Sequence, residues 1–128
     1  DPDCRVLGNV VYSQGRCVPG FVVKRCADWS SVYAAAPGLP AAVLRGIARY
    51  AGAHVYSDDG EVLTATRELL AVHSAAGGRR TLRLPRRVRT VTELFSGREV
   101  ARATDVFSVE LAAPATELYY TGDGQPPP

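Results

Sequence analysis

Apolar side chains recur at helical spacing in one clear stretch of this chain, residues 40 to 51, and that single change of period constrains the fold more than any other feature. Val43, Leu44, Ile47, Ala48 and Ala51 repeat at three and four, with Arg45 and Arg49 four apart on another face. Pro40 fits the first turn, and Gly52 fits the position just past the end, where a left-handed backbone carries no Cβ penalty. A helix of about three turns is marginal alone in water, so this one needs a sheet to pack on.

The chain on either side of the helix reads as strand. Ahead of it lie Arg5 to Tyr12, a turn at Ser13, Gln14 and Gly15, Val18 to Cys26, and Ser31 to Ala35, ended by Pro37, Gly38 and Pro40. Behind it come Ala53 to Tyr56, a turn at Asp58, Asp59 and Gly60, Glu61 to Thr66, Glu68 to Ser74, Arg79 to Leu84, Val88 to Phe95, Arg98 to Ala103, Phe107 to Leu111 and Glu117 to Thr121. Phe107, Val109 and Leu111 alternate with Ser108 and Glu110, the mark of a strand with one wet face. The expected fold is mainly β: an antiparallel sandwich or barrel-like domain over residues 53 to 122, preceded by a small α/β segment over residues 1 to 52. Residues 123 to 128, with three consecutive prolines, read as a frayed tail. The first segment is too small to supply a two-faced core, and the second folds alone only marginally. The start at Asp1 favours missing chain that covers the helix.

At 128 residues the chain has room for one ordinary domain or two small pieces. Its 46% hydrophobic content places it among globular chains, and no run approaches the roughly eighteen apolar residues of a membrane span. A soluble protein, cytoplasmic or secreted, is expected. No signal segment begins the sequence, so any such segment was removed or lay upstream. Cys4, Cys17 and Cys26 are thirteen and nine residues apart, without the close pairs of a zinc site, and read as small buried hydrophobes. No metal or cofactor is expected.

Charge is unevenly spread. Residues 79 to 102 hold eight Arg against Glu93 and Glu99, while residues 103 to 128 hold Asp105, Glu110, Glu117 and Asp123. Folding that sets the acidic stretch beside the basic one cancels much of the field. Otherwise Arg79, Arg80, Arg83, Arg86, Arg87 and Arg89 form a candidate surface for a nucleic acid or another anionic partner.

Catalytic signals are lacking. His54 and His73 have no nucleophile or carboxylate supplied by a local motif and read as hydrogen-bonded structural or surface residues. The serines lack a nucleophile elbow, and Gly8, Gly15 and Gly20 do not form a phosphate loop. Asp58, Asp59 and Glu61 crowd one turn, where short acidic side chains stabilise the backbone. No catalytic residue is assigned. Trp29 and Tyr56, where exposed, are candidates for stacking on a sugar or base ring, while core packing or interface anchoring is the commoner fate of such aromatics.

The order of these segments resembles a known arrangement. The quoted stretches are Ser31-Val32-Tyr33, the helix from Leu39 to Tyr50, Ala51-Gly52-Ala53-His54-Val55-Tyr56, Leu70-Ala71-Val72-His73, Arg80-Thr81-Leu82-Arg83-Leu84-Pro85, Glu93-Leu94-Phe95-Ser96-Gly97, Val109-Glu110-Leu111 and Leu118-Tyr119. Together they resemble the C-terminal end of bacterial glycoside hydrolases of the beta-galactosidase type, which carry a catalytic TIM barrel, a flavodoxin-like domain often used in trimerisation, and a small β domain. The resemblance implies that residues 1 to 52 end the flavodoxin-like domain and that residues 53 to 122 are the β domain. It implies a non-catalytic accessory domain of a carbohydrate-active enzyme, with the missing barrel, the rest of a parent protein or a homo-oligomer as its partner. The family's catalytic glutamates belong to the barrel, so none of Glu61, Glu68, Glu93, Glu99, Glu110 or Glu117 takes their role. A carbohydrate-binding module is the alternative, and nucleic-acid binding through the Arg-rich stretch is another.

Overall fold

A computed structural model describes residues 2–125. It divides into two compact units, Asp1–Ala51 and Gly52–Pro128. Among the described residues each contains one antiparallel sheet, and the first also contains the single helix.

The first unit is a three-stranded sheet in the order β1 (Cys4–Val11), β2 (Cys17–Arg25), β3 (Ser30–Ala34), followed by α1 (Ala41–Tyr50). Both ladders are antiparallel, with Val6 opposite Val22 and Val23 opposite Val32. This corrects the flavodoxin-like expectation, because such a layer uses parallel strands joined by helical crossovers, whereas short hairpins join these three. The β1–β2 register shifts on both sides of Gly8, a bulge in an edge strand. Gly20 is required by close approach: a Cβ there would lie 2.2 Å from Val10 Cγ2. Pro40 is the helix N-cap, and Gly52 takes φ +76° just beyond the C-cap Ala51.

The sheet alternation separates two apolar faces. Leu7, Phe21, Val23 and Val32 line the side shared with α1. Val6, Val10, Val18, Val22 and Tyr33 belong to the other side by register, and Tyr33 is 59% exposed. No helix residue is buried, and Leu44, expected on the packed face, is 52% exposed. The cysteines also differ from expectation. All three are free thiols, Cys17 is exposed, and Cys4 and Cys26 are only half-buried.

The second unit is a five-stranded sheet in the order β4-β5-β8-β6-β7. Its strands are β4 (Val62–Ala65), β5 (Leu69–Ser74), β6 (Gly78–Glu93), β7 (Arg98–Leu111) and β8 (Ala115–Tyr120). Ala53 to Tyr56, expected as a strand, is irregular and reaches β6 through a bond from the Arg83 N–H to the Tyr56 carbonyl. Four expected strands are two long ones. Pro85 does not end β6, because it falls where pairing with β7 is interrupted between Arg83 and Val88, so its missing N–H leaves no ladder bond unmade. Ala103, at φ +47°, marks the corresponding bend in β7.

That bend lets Leu82 and Phe107, which face each other across β6 and β7, pack with β5 and β8 in a sandwich-like core. Phe107 meets Tyr119 edge-on at 5.3 Å between ring centres. Leu70, Val72, Leu82, Val91 and Tyr119 are essentially inaccessible to solvent. The expected tail is tied at its beginning: Asp123 pairs with Arg86 at 3.5 Å, and residues 126 to 128 lie outside the described residues.

Candidate functional site

Sequence position alone does not bring the most distinctive cavity together. Between α1 and its sheet runs a slot of about 330 Å³. Leu7, Phe21 and Val32 line it from the sheet, Val43, Gly46 and Ile47 from the helix, and Arg5 and Tyr50 are the lining residues with polar side-chain groups. Gly46 accounts for part of the space. It sits mid-helix on the sheet-facing side, where a Cβ would meet nothing within 4 Å. Glycine there costs about 1 kcal/mol of helix propensity relative to alanine, and no local turn requires it.

Val32, Ile47 and Tyr50 also line a second, wider depression, bounded by the β2–β3 loop with Arg25, Asp28, Trp29 and Ser30. The slot and the depression thus share a wall, and the depression carries the more polar lining. The turn is closed by the Cys26 N–H donating to the Trp29 carbonyl at 2.8 Å. Arg25 and Ser30 face each other in the β2–β3 register, and both meet the last residue of the helix. Arg25 Nε donates to the Tyr50 hydroxyl at 3.2 Å, Ser30 Oγ lies 3.3 Å from the same oxygen, and the Arg25 guanidinium stands 5.9 Å from the Tyr50 ring centre. The Ser30 hydroxyl, then Arg25, hold the Tyr50 phenol below its ordinary range despite some desolvation, and the charges of Arg25 and Arg5 act in the same direction.

The residues singled out from sequence are scattered by comparison. Trp29 lies at the mouth and is 61% exposed. Tyr56 belongs to the other unit, is half-buried against its core and meets His54 edge-on, so it offers no open platform for a sugar. The Arg-rich stretch is largely neutralised. Arg80 turns inward and pairs with Glu61, whose side chain is only 3% exposed; Arg83 pairs with Asp58, and Arg86 with Asp123. Arg79 stands opposite Glu110 in the β6–β7 ladder. Arg87 and Arg89 are exposed, but six cations do not form one uncompensated face. Sequence reading missed Arg5, Arg25, Gly46 and Tyr50; an interruption of the apolar helix face by glycine was the available signal.

The remaining polar groups of the second unit serve its turns and packing. His54 Nε2 donates to the Arg83 carbonyl at 2.8 Å, and His73 Nδ1 lies 2.9 Å from Thr116 Oγ1. Ser57 accepts the Asp59 N–H at 3.1 Å, so the acidic cluster organises its own turn. Burial favours a neutral Glu93, but the Ser96 hydroxyl and the N–H groups of Phe95, Ser96 and Leu118 outweigh it and hold the carboxyl below its ordinary range. For Tyr119, burial first and the hydrogen-bonded Glu117 carboxylate second push the phenol far above its usual range. Among the described residues no group of three or more His, Cys, Asp or Glu is placed to hold a metal ion, and no helix is long and apolar enough to cross a membrane. No protein-family model, curated protein or solved structure matches the chain.

Proposed function

We propose that this protein is a non-catalytic binding module whose site is the slot beneath α1. The observation that carries this reading is the slot itself, about 330 Å³ bounded mainly by apolar side chains and widening into a polar mouth. Small-molecule sites commonly combine an apolar cavity with a few polar groups that fix orientation. Titration with the neutral fluorophore N-phenyl-1-naphthylamine tests the reading. Emission rises with the native chain and not with Gly46→Leu, whose side chain fills the slot while improving helix propensity. Equal enhancement by both proteins overturns the assignment. Hydrolysis of a nitrophenyl galactoside by the purified chain, abolished by a single carboxylate substitution, overturns the non-catalytic part.

The alternative reading, a carbohydrate-binding module, has a different support. Exposed Trp29, with Asp28 and Ser30 beside it, favours sugar stacking at the mouth. Because Trp29 is the sole tryptophan, its emission reports directly on that surface. A saturable change with soluble galactan, lost in Trp29→Ala when followed by calorimetry, supports a carbohydrate-binding module; no change under saturating galactan removes it.

A further inference from the structure

We infer that the slot holds the tail of a single-chain amphiphile and that its carboxylate head lies at the Tyr50 hydroxyl, between Arg5 and Arg25. The inference rests on the slot being the binding site and adds the chemical class of the ligand. Tail and head are distinguished by where polar atoms occur. Leu7, Phe21, Val23, Val32, Val43 and Ile47 offer no hydrogen-bonding side chain, so the slot interior favours hydrocarbon. Its volume lies near the lower end of the roughly 300–1,000 Å³ found for ligand sites, which suits one chain rather than two.

The polar end has a defined sign. Arg5 lines the slot, Arg25 lines the mouth, and no Asp or Glu lines the slot; Asp28 is the acidic group at the mouth. Arg25 Nε already donates to the Tyr50 oxygen, leaving the phenolic hydrogen for Ser30 or an incoming acceptor. Hydrogen bonds from Ser30 and Arg25 chiefly lower the phenol, and the charges of Arg25 and Arg5 add to them; those two charges also favour an external carboxylate. A cationic head is repelled by both arginines, and an uncharged one leaves their charge unused.

Competition on the full chain tests the assignment. N-Phenyl-1-naphthylamine is displaced by decanoate, decanol or decyltrimethylammonium, all below micelle formation and at one ionic strength. Decanoate is expected to displace about tenfold more effectively than decanol. Removing a methylene should weaken it about fourfold. Arg25→Gln and Tyr50→Phe should each reduce the decanoate advantage, and Arg5→Gln should do the same from the slot side. Equal displacement by decanoate and decanol overturns the head-group assignment while leaving the slot reading intact. Stronger displacement by decyltrimethylammonium also overturns it and makes Asp28 the controlling charge. Absence of probe binding, or binding unaltered by Gly46→Leu, overturns the slot reading itself.

Discussion

The two units use similar secondary structure to different ends. In the second unit, the bend in β6 and β7 brings side chains from four strands into a dry interior that includes Leu82, Phe107 and Tyr119. Among its described residues the first unit has neither a buried helix residue nor a buried large apolar residue, and Val11, Tyr12, Trp29, Tyr33 and Leu44 are among those left at its surface. Apolar content therefore does not by itself make a core. Two long strands that bend across one another close an interior, whereas a three-stranded sheet with one glycine-containing helix leaves accessible apolar space. The contrast assigns the larger share of stability to the second unit.

The sharpest way to break that contrast is to remove one member of the buried ion pair in the second unit. Arg80→Ala leaves the Glu61 carboxylate behind a nearly closed surface and should destabilise the unit by about 3–5 kcal/mol in urea unfolding followed by circular dichroism. Leu82→Ala should cost about 2–5 kcal/mol in the same measurement. Ile47→Ala, at a half-buried slot position, should cost less than about 1 kcal/mol by that measure, because cavity energetics are weak where the site is already open. Comparable losses for Leu82→Ala and Ile47→Ala would erase the distinction between the units.

Polar substitutions in each unit sharpen it. Glu93→Gln should cost about 1–3 kcal/mol near neutral pH by weakening the bonds that close the β6–β7 turn. The folded Glu93 carboxyl titrates below its ordinary value of 4.5, so its contribution is complete above the unfolded value and is lost as pH falls through the lowered one. Unfolding measured from neutral to strongly acid pH should therefore show a shallower acid loss in Glu93→Gln than in the native chain; parallel curves would remove Glu93 as a source of that slope. Tyr50→Phe should have the smallest effect, less than about 1 kcal/mol in thermal unfolding, because the exposed phenol positions a surface network rather than a core.

Much of this architecture is legible in residue periodicity. The Val43 and Ile47 spacing locates the helix, and Phe107, Val109 and Leu111 locate the inward face of β7. Long-range consequences are less legible. Pro85 looks like a strand breaker until the interrupted β7 partner reveals that its N–H is unnecessary. The Arg79 to Arg89 stretch looks uniformly basic until folding brings up Glu61, Asp58, Asp123 and Glu110. At the candidate site, Trp29 is apparent as an isolated aromatic, but the Arg25–Tyr50 bond joins residues 25 positions apart, and no local motif encodes it. Gly46 reads as a weak helix residue before the adjoining sheet gives its missing side chain a spatial consequence.

The irregularity at Gly8 has a consequence for crowded solutions. β1 is an outer strand, and its shifted register interrupts the straight row of amides and carbonyls that another copy would need for fibril growth. A local kink can thus preserve colloidal behaviour beside an accessible greasy surface.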